Sequence, residues 1–402
     1  MGFEHTTKTR YWLIKHIGAN IRGGTKIENT GANIHGGRKI EHTGANIFSG
    51  RKIEHKGANI FGGRKLPKLP LFLIALLFLC FAPYSRVLSE PSPVQIRFSH
   101  VDGANTPRGW GALEFAKRIN RAMEGKIEIE VFSDGVLYND NQAIEAVAMG
   151  ALEMAAPSSD KFKGFVPGLQ LFDIPFLFND INSVHKAIDA GIGRKIKELF
   201  EQRAMGITLL GFWDNSFKQF TCNTNALQTP LDFKDLKLII GDSEILQAQI
   251  NAFGAYGYQT EYSKVYEMLE RGIMDGQEDS ACNIYNFNYN KVQRYLTFSN
   301  HGYMGYLVII NQNFWKSLPW TMRKQMTAIL KDVTAEVREK AIDLEKRYKL
   351  MLRDYAELNS SFEIVDLSQE EKRVFRESAK ETEKMFYDIV PEEWIKRIRD
   401  CQ

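Results

Sequence analysis

Between residues 94 and 155 the spacing of apolar residues changes in a way that predicts alternating strands and helices. The segments VQIRFS (94–99) and KIEIEVF (126–132) carry apolar residues at every second position, the pattern of a strand. The intervening stretch, Gly109–Met123, has its apolar residues three and four positions apart, and Thr106-Pro107 can cap and start this helix. Strand, helix and strand of these lengths predict parallel pairing with a right-handed crossover.

The alternation continues along the chain until the pattern becomes helical. Further helices are predicted over 141–149 and 181–203, and further strands over 152–155, 206–214, 237–240 and 305–311. Thr321–Leu358 contains no Gly or Pro and predicts one very long helix, with a second over Gln369–Ile389. No Gly-, Ser- or Pro-rich linker divides this region, so we expect an α/β fold whose two lobes are built from a chain that crosses between them.

The N-terminal part has a different character. Residues 18–65 repeat GANIxGGRKIEHT-like units with a period of 13, a composition of Gly, Asn and Lys that cannot bury a core. Five of the eight histidines lie in residues 1–70, so a metal-binding tail is one interpretation. The interpretation we favour is translated tandemly duplicated DNA, with the true translation start downstream, so that residues 1–64 are not part of the mature protein.

Residues 65–89 have the organisation of a secretory signal peptide. The basic KLPK precedes the apolar run LPLFLIALLFLCFAP, and the small residue Ser89 follows. Pro83 breaks the run too early for a membrane span. The sequence around Cys80 resembles a lipoprotein box only loosely, so we expect cleavage near Ser89 rather than lipidation. The mature protein is then exported to the periplasm.

Charge separates the same two regions. Residues 1–70 hold 13 Lys/Arg against 4 Asp/Glu, which leaves 39 basic and 45 acidic residues elsewhere. An acidic body argues against nucleic-acid binding, which needs a basic face. The four cysteines (80, 222, 282 and 401) include no CxxC, and no His pair has metal-ligand spacing. We expect no metal and no cofactor, and the spacing leaves open whether Cys222 and Cys282 pair or stay free.

Catalytic motifs are absent from the sequence after residue 90. It contains no G-x-S-x-G, P-loop or H-E-x-x-H, and its three histidines are His100 and His301 at strand ends and His185 on a predicted helix surface. The adjacent carboxylates Glu278 and Asp279 are too common a pair to indicate acid–base chemistry. We therefore predict that the protein is not an enzyme.

Seven segments occur in the order and spacing of a known family: 96–119, 126–158, 166–180, 211–220, 232–238, 263–279 and 294–319. From Val94 to its end the chain resembles the extracytoplasmic solute-binding subunit of a TRAP transporter, most nearly the C4-dicarboxylate type. The resemblance implies a two-lobed periplasmic binding protein fold, with a ligand cleft between the lobes and a long C-terminal helix crossing both. We expect lobe I to comprise 94–215 and 305–344, and lobe II to comprise 216–304 and 345–402.

The resemblance also implies a function and its partners. We expect a monomer that captures a small organic anion and delivers it to the permease subunits of a membrane transporter. A buried carboxylate needs charged donors to offset its desolvation, and Lys218 stands where the family places one such contact. Trp213 and Tyr262 match aromatic positions near the family's ligand, and Ser158 and Asn215 match nearby polar contacts.

Two positions depart from the family pattern. The family's main arginine is replaced by Ile239, and the asparagine of its DGQEN motif is replaced by Asp279. The cleft thereby loses one positive charge and gains one negative charge. Two alternatives therefore stay open: a sensing or non-binding paralogue of the same fold, and a binder of a less acidic solute.

The same residues also have structural interpretations. Lys218 can simply follow a strand, Trp213 and Tyr262 can be core aromatics, and Ser158 and Asn215 can close loops at strand ends. Asp275–Glu278 reads as a tight turn leaving a helix.

Overall fold

The structure is a computed structural model that describes residues 92–400 apart from 385, 386 and 388. The predicted repeats, the predicted signal peptide, Cys80 and Cys401 lie outside these residues.

Ten strands are present among the described residues. They are β1 (Val94–Ser99), β2 (Ile127–Phe132), β3 (Met154–Ala155), β4 (Ile207–Cys222), β5 (Lys237–Ile239), β6 (Tyr256–Tyr258), β7 (Gly276–Ser280), β8 (Tyr295–Phe298), β9 (Tyr303–Asn311) and β10 (Glu363–Asp366).

Eleven α-helices accompany them in the same part of the chain. They are α1 (Pro107–Ala122), α2 (Asp140–Met149), α3 (Ile181–Ala187), α4 (Gly193–Gln202), α5 (Glu244–Ala252), α6 (Tyr262–Glu270), α7 (Ala281–Asn286), α8 (Gln312–Ser317), α9 (Trp320–Leu358), α10 (Gln369–Lys384) and α11 (Glu392–Asp400). The predicted cap of α1 is confirmed: Thr106 Oγ1 accepts the backbone N–H of Gly109 at 3.1 Å, and Pro107 occupies the first turn.

The strands form two sheets that share β4. The first sheet has the order β2-β1-β3-β9-β4, with β1, β2 and β3 parallel. The second runs β4-β7-β5-β6, with β5, β6 and β7 parallel, and β8 joins β4 to β10. The residues of β4 from Ile207 to Phe217 pair with β9, whereas Lys218–Cys222 pairs with β7. The chain therefore crosses from one sheet to the other inside a continuous strand.

Each sheet has its own core, and α9 packs on both. In the first sheet a cluster under α1 and α9 includes Phe115 of α1 and Val333 of α9. In the second sheet a cluster under α6 and α7 includes Leu269 of α6 and Leu352 of α9. Polar contacts also join α9 to helices of both sheets. Arg118 of α1 binds Glu336 at 2.8 Å, and the Tyr348 hydroxyl binds Asn286 of α7 at 3.2 Å.

Several predicted elements differ from the observed ones. The helix expected over 181–203 is interrupted by a π-helical turn in which Gly191 has φ 122°, a conformation that kinks the chain and suits glycine. The strand expected over 206–214 continues to Cys222, because Trp213–Cys222 is buried on both faces and shows no alternation. The short strands and helices between 244 and 298 and α11 were not predicted, since periodicity is weak over so few residues.

Cys222 and Cys282 are both buried, and both are free thiols rather than a disulfide. No helix among the described residues is long and apolar enough to cross a membrane.

Candidate functional site

The candidate site lies where two sets of parallel strands end. The carboxyl ends of β1 and β2 from the first sheet and of β5 and β6 from the second lead into loops that line one cavity of about 580 Å³. This volume is in the range of small-molecule sites, and a crevice at the carboxyl ends of parallel strands is where α/β proteins bind ligands. Its lining residues include Asp134, Asp140, Lys161, Asp242, Glu261, Tyr262, Phe287 and Tyr289.

A narrower recess of about 40 Å³ shares part of this lining and reaches the second sheet. We call it the inner recess. Four of the seven predicted site residues line it: Lys218, Ile239, Tyr262 and Asp279. Lys161, Glu278, Tyr289 and Met304 line it with them. The sequence therefore placed most of its candidates around one cavity, although their role in ligand binding stays a prediction.

Ile239 and Asp279 lie on the same face of the second sheet. Ile239 of β5 is paired in parallel with Gln277 of β7, and Asp279 follows two residues later, so its side chain returns to that face. Ile239 is 7% exposed and belongs to an apolar cluster with Val265 and Leu269. At the position where the resemblance leads us to expect an arginine, this recess therefore presents a hydrocarbon surface.

Lys218 lies on the opposite face and is engaged by protein carboxylates. Its Nζ donates to Asp173 Oδ1 and to Glu278 Oε1, each at 3.0 Å, and its side chain is 3% exposed. Burial alone would lower the pKa of Lys218, but the two carboxylates outweigh it and raise that pKa above its usual value. The interpretation of Lys218 as a residue after a strand is wrong, because it lies within β4.

Glu278 is held by donors on three sides. It accepts from Lys218, from the backbone N–H of Gly241 at 2.9 Å and from His301 Nε2 at 2.7 Å. Burial raises the pKa of Glu278, but Lys218 and His301 overcome that effect and hold the pKa at about 2. Burial also raises the pKa of Asp173, in this case to about 6, because neighbouring carboxylates add to it. Glu278 is thus a fixed anion that keeps Lys218 in place.

The buried carboxylate of Asp279 is stabilised by fewer donors than that of Glu278. Its Oδ1 accepts the backbone N–H of Ser280 at 2.7 Å and Asn283 Nδ2 at 2.9 Å. Burial raises the pKa of Asp279 to about 7, with Asp102 adding to the effect and these hydrogen bonds opposing it. The turn predicted at 275–278 is wrong, since Gly276–Ser280 is strand β7.

Asn215 lies at a bulge next to the recess. The pairing of β4 with β9 shifts between Asp214 and Ser216, which leaves Asn215 as the extra residue and lets its side chain turn inward. Its Nδ2 lies 2.5 Å from the Tyr306 hydroxyl and 3.3 Å from Met304 Sδ. The interpretation that Asn215 closes a loop at a strand end is therefore wrong.

Ser158 and Trp213 do not line either cavity. Ser158 follows β3, and its backbone N–H donates to Asp140 Oδ2 at 3.1 Å, one contact away from the cavity wall. Trp213 is 0% exposed in the core of the first sheet, where its Nε1 donates to Thr334 of α9 at 3.1 Å. Its position favours the structural interpretation, a packing residue between β4 and α9.

A buried ion network on the first sheet was missed by the sequence reasoning. Arg108 binds Asp102 through Nε at 2.8 Å and Asp140 through Nη1 at 3.2 Å, and its guanidinium lies 4.1 Å from the ring centre of Tyr306. Asp102 lies just after β1, and Arg108 and Asp140 lie in the first turns of α1 and α2. These positions in the sequence could have indicated that the three charges meet at one edge of the sheet. The surface position expected for His185 is also wrong, since its Nε2 lies 2.5 Å from buried Asp214.

Among residues 92–400, no group of three or more His, Cys, Asp or Glu side chains could hold a metal ion. The arrangement is a crevice with charged walls between two sheets, which suits the enclosure of a small solute.

The chain matches the model of the family described as bacterial extracellular solute-binding protein, family 7, over residues 98–388. It is 38% identical over 273 residues to the C4-dicarboxylate-binding periplasmic protein DctP of Rhodobacter capsulatus, which covers 65% of this chain and 81% of that protein. The chain therefore belongs to family 7 of the bacterial extracellular solute-binding proteins.

Solved structures agree with this assignment. A TRAP periplasmic solute-binding protein from Sulfurospirillum deleyianum with bound succinate superposes with a TM-score of 0.74 at 33% identity, covering 78% of this chain and 100% of that one. A TRAP periplasmic solute-binding protein from Pseudomonas aeruginosa with bound L-malate gives 0.68 at 32% identity over 73% and 100%. The predicted two-lobed α/β fold with its long C-terminal helix is confirmed, and the protein is a binding protein rather than an enzyme.

Proposed function

We propose that this protein is the solute-binding component of a TRAP-type transporter, which captures a small carboxylate-bearing solute and delivers it to membrane permease subunits. The observation that carries the proposal is the similarity to the succinate-bound relative, which extends over the whole of that chain. Delivery follows from the class of transporter to which that relative belongs.

Two lysines at the cleft are the candidate donors to a solute carboxylate. A lysine ammonium has three N–H donors. Lys218 uses two of them on Asp173 and Glu278, and Lys161 uses one on Asp160 at 2.9 Å. Lys161 lines both cavities, so a carboxylate in the cleft can reach it from the mouth or from the inner recess.

We infer two lobes: lobe I comprises residues 94–215 and 305–344, and lobe II comprises residues 216–304 and 345–402. Continuous β4 and its partner β9 connect them, and such connections allow hinged closure. α11 is an exception to this division, because Trp394, Ile395 and Ile398 pack with the first sheet's core residues. A solute that binds both lobes shifts the equilibrium toward the closed form, which is the form a permease can recognise.

Residues 65–89 are proposed as the export signal. Its basic-then-apolar organisation supports secretion, as do the periplasmic names of the relatives. When the chain is expressed in a bacterium from a start just before Lys65, the periplasmic fraction should contain protein that lacks residues up to about Ser89. Uncleaved protein in the cytoplasm would contradict the proposal.

Binding is tested by thermal unfolding of the purified protein with a panel of dicarboxylates, keto acids, sugar acids and amino acids. A solute at a hundred times its dissociation constant should add about 2.7 kcal/mol to the free energy of unfolding. X-ray scattering should then show a smaller radius of gyration with that solute. If no carboxylate in the panel binds, or if the bound protein keeps its dimensions, the proposal fails.

A less acidic solute than succinate is the second candidate, and Ile239 and Asp279 favour it. An isoleucine cannot pair with a carboxylate, and Asp279 adds a buried acid to the same face of the recess.

A further inference from the structure

The two cavities are lined by more carboxylic acids than cations. The described residues that line the two cavities include two lysines and seven acids: Asp134, Asp140, Asp160, Asp242, Glu261, Glu278 and Asp279. Both lysines already bind carboxylates of the protein, Lys161 on Asp160 and Lys218 on Asp173 and Glu278. Cations outside the lining bind three more of these acids: Arg108 binds Asp140, Lys163 binds Asp242, and Lys264 lies 3.6 Å from Glu261. Among the described residues, Asp134 and Asp279 are the two lining acids that no cation binds, so the charge left over in the cleft is negative and favours a cationic group.

Acceptor atoms without a donor are concentrated around Asp279. No donor among the described residues reaches its Oδ2, whereas Oδ1 has two. Asn283 Oδ1 is buried without a partner, and the orientation of this amide is fixed because its Nδ2 donates to the Asp279 carboxylate. Asn215 Oδ1 is also buried without a partner, and both amides contact Met304, which lines the inner recess.

Of these residues Asp279 lines the inner recess, and its free oxygen indicates the chemistry of what binds there. A buried acceptor without a donor costs about 1–3 kcal/mol, and a ligand that donates to it recovers that cost. A carboxylate has no hydrogen to donate, whereas a protonated amine has up to three and carries the charge opposite to Asp279. Tyr289, which lines both cavities, adds a hydroxyl without a partner.

Aromatic rings at the junction of the two cavities favour the same ligand. Tyr262 and Phe287 have ring centres 5.4 Å apart, and Phe287 and Tyr289 are 5.7 Å apart. All three rings line the cleft mouth. The faces of such rings attract cations.

We infer that the inner recess binds the protonated amine of a small carboxylate, with Asp279 as its counter-ion and Ile239 against its carbon chain. The inference rests on the proposed function, and it narrows the solute to an amine-bearing carboxylate. The carboxylate end of that solute binds Lys161, which reaches both cavities and has two N–H donors beyond its bond to Asp160. The site is thus matched to a zwitterion.

Two probes of equal chain length separate the possibilities. Succinate and 4-aminobutyrate each have four carbons and a carboxylate at one end. At the other end succinate carries a second carboxylate, whereas 4-aminobutyrate carries an amine. Calorimetric titration of the purified protein should give at least tenfold tighter binding of 4-aminobutyrate than of succinate. Asp279→Asn should weaken 4-aminobutyrate binding at least tenfold, because it removes the counter-ion and keeps the size of the side chain.

The matched control is Asp332→Asn, which changes an exposed carboxylate on α9 in the same way and should leave both affinities unchanged. Unfolding curves of each variant establish that it is folded. Succinate binding equal to or tighter than that of 4-aminobutyrate overturns the inference and leaves the proposed function standing. Binding of 4-aminobutyrate that does not change in Asp279→Asn also overturns it. Binding of neither probe at about 10 mM, well above a millimolar dissociation constant, also overturns the inference, and the wider panel of carboxylates then decides the proposed function.

Discussion

Asp279→Asn should make the protein more stable, and the gain should grow as the pH rises. The amide oxygen of asparagine can accept the same two bonds that Asp279 Oδ1 accepts, from Ser280 N–H and Asn283 Nδ2. The substitution therefore removes a buried charge and retains the shape and the hydrogen bonds of the side chain.

The size of the expected gain in the free energy of unfolding follows from the pKa of Asp279. Burial raises it to about 7 in the folded protein, against 3.8 for an ordinary aspartate. The unfolded chain loses this proton first as the pH rises, so unfolding releases a proton between about pH 4 and 7 and the folded state loses stability over that window. The loss is about 1.4 kcal/mol per pH unit and at most about 4 kcal/mol above pH 7.

The other groups facing Asp279 do not produce the same signal. The pKa of Asp102 is lowered and the pKa of Lys218 is raised, so both stay charged across this window. Burial raises the pKa values of Tyr262, Tyr289 and Tyr306 further above 10, so these phenols stay neutral. Asp173, with a pKa of about 6, titrates in both proteins, and its effect largely cancels in their difference.

The assay is urea unfolding of the wild type and of Asp279→Asn at pH 5, 6, 7 and 8, with Asp332→Asn as the control. The free energy of unfolding of Asp279→Asn relative to wild type should increase from pH 5 to pH 7 and then level off. The control should show no such trend. A difference that stays constant with pH, or that decreases, would refute the placement of a buried, poorly compensated carboxyl group at this position.

Three further predictions concern the recess, the buried Lys218 and the N-terminal repeats. Ile239→Arg combined with Asp279→Asn should raise succinate affinity more than a hundredfold by calorimetry, because a buried carboxylate that lacks its guanidinium partner costs roughly 3–5 kcal/mol and the added arginine supplies that partner; unchanged affinity would contradict the shared face of the two positions. Lys218→Met should lower the free energy of unfolding by about 3–5 kcal/mol, because it leaves Glu278 and Asp173 buried without a cation, and a loss below about 1 kcal/mol would contradict that pairing. Deleting residues 1–60 should change neither the unfolding midpoint nor solute binding, since repeats of this composition have no core, and a lower midpoint would contradict this.

The sequence by itself determined the class of fold and, through the family resemblance, predicted two departures from the family's site. Alternation in VQIRFS and KIEIEVF identified two strands, since one face of each strand is buried and the other is less so. The uninterrupted Thr321–Leu358 identified the long helix, because only Gly or Pro would have broken it locally. Ile239 and Asp279 could be recognised because a resemblance aligns residue types one by one.

The tertiary structure decided which charges are free, because a charge is neutralised by residues distant in sequence. The sequence neighbours of Lys218 are Phe217 and Gln219, and neither indicates a partner for its charge. Yet Lys218 is buried between Asp173 and Glu278, which lie 45 and 60 positions away. The face shared by Ile239 and Asp279 depends on the register of β5 against β7, which no local pattern fixes. The unpaired oxygens of Asn215 and Asn283 depend on a bulge in one strand and on the start of a helix that follows another. The family resemblance therefore selected four residues that line the recess, whereas long-range contacts determined its electrostatic character.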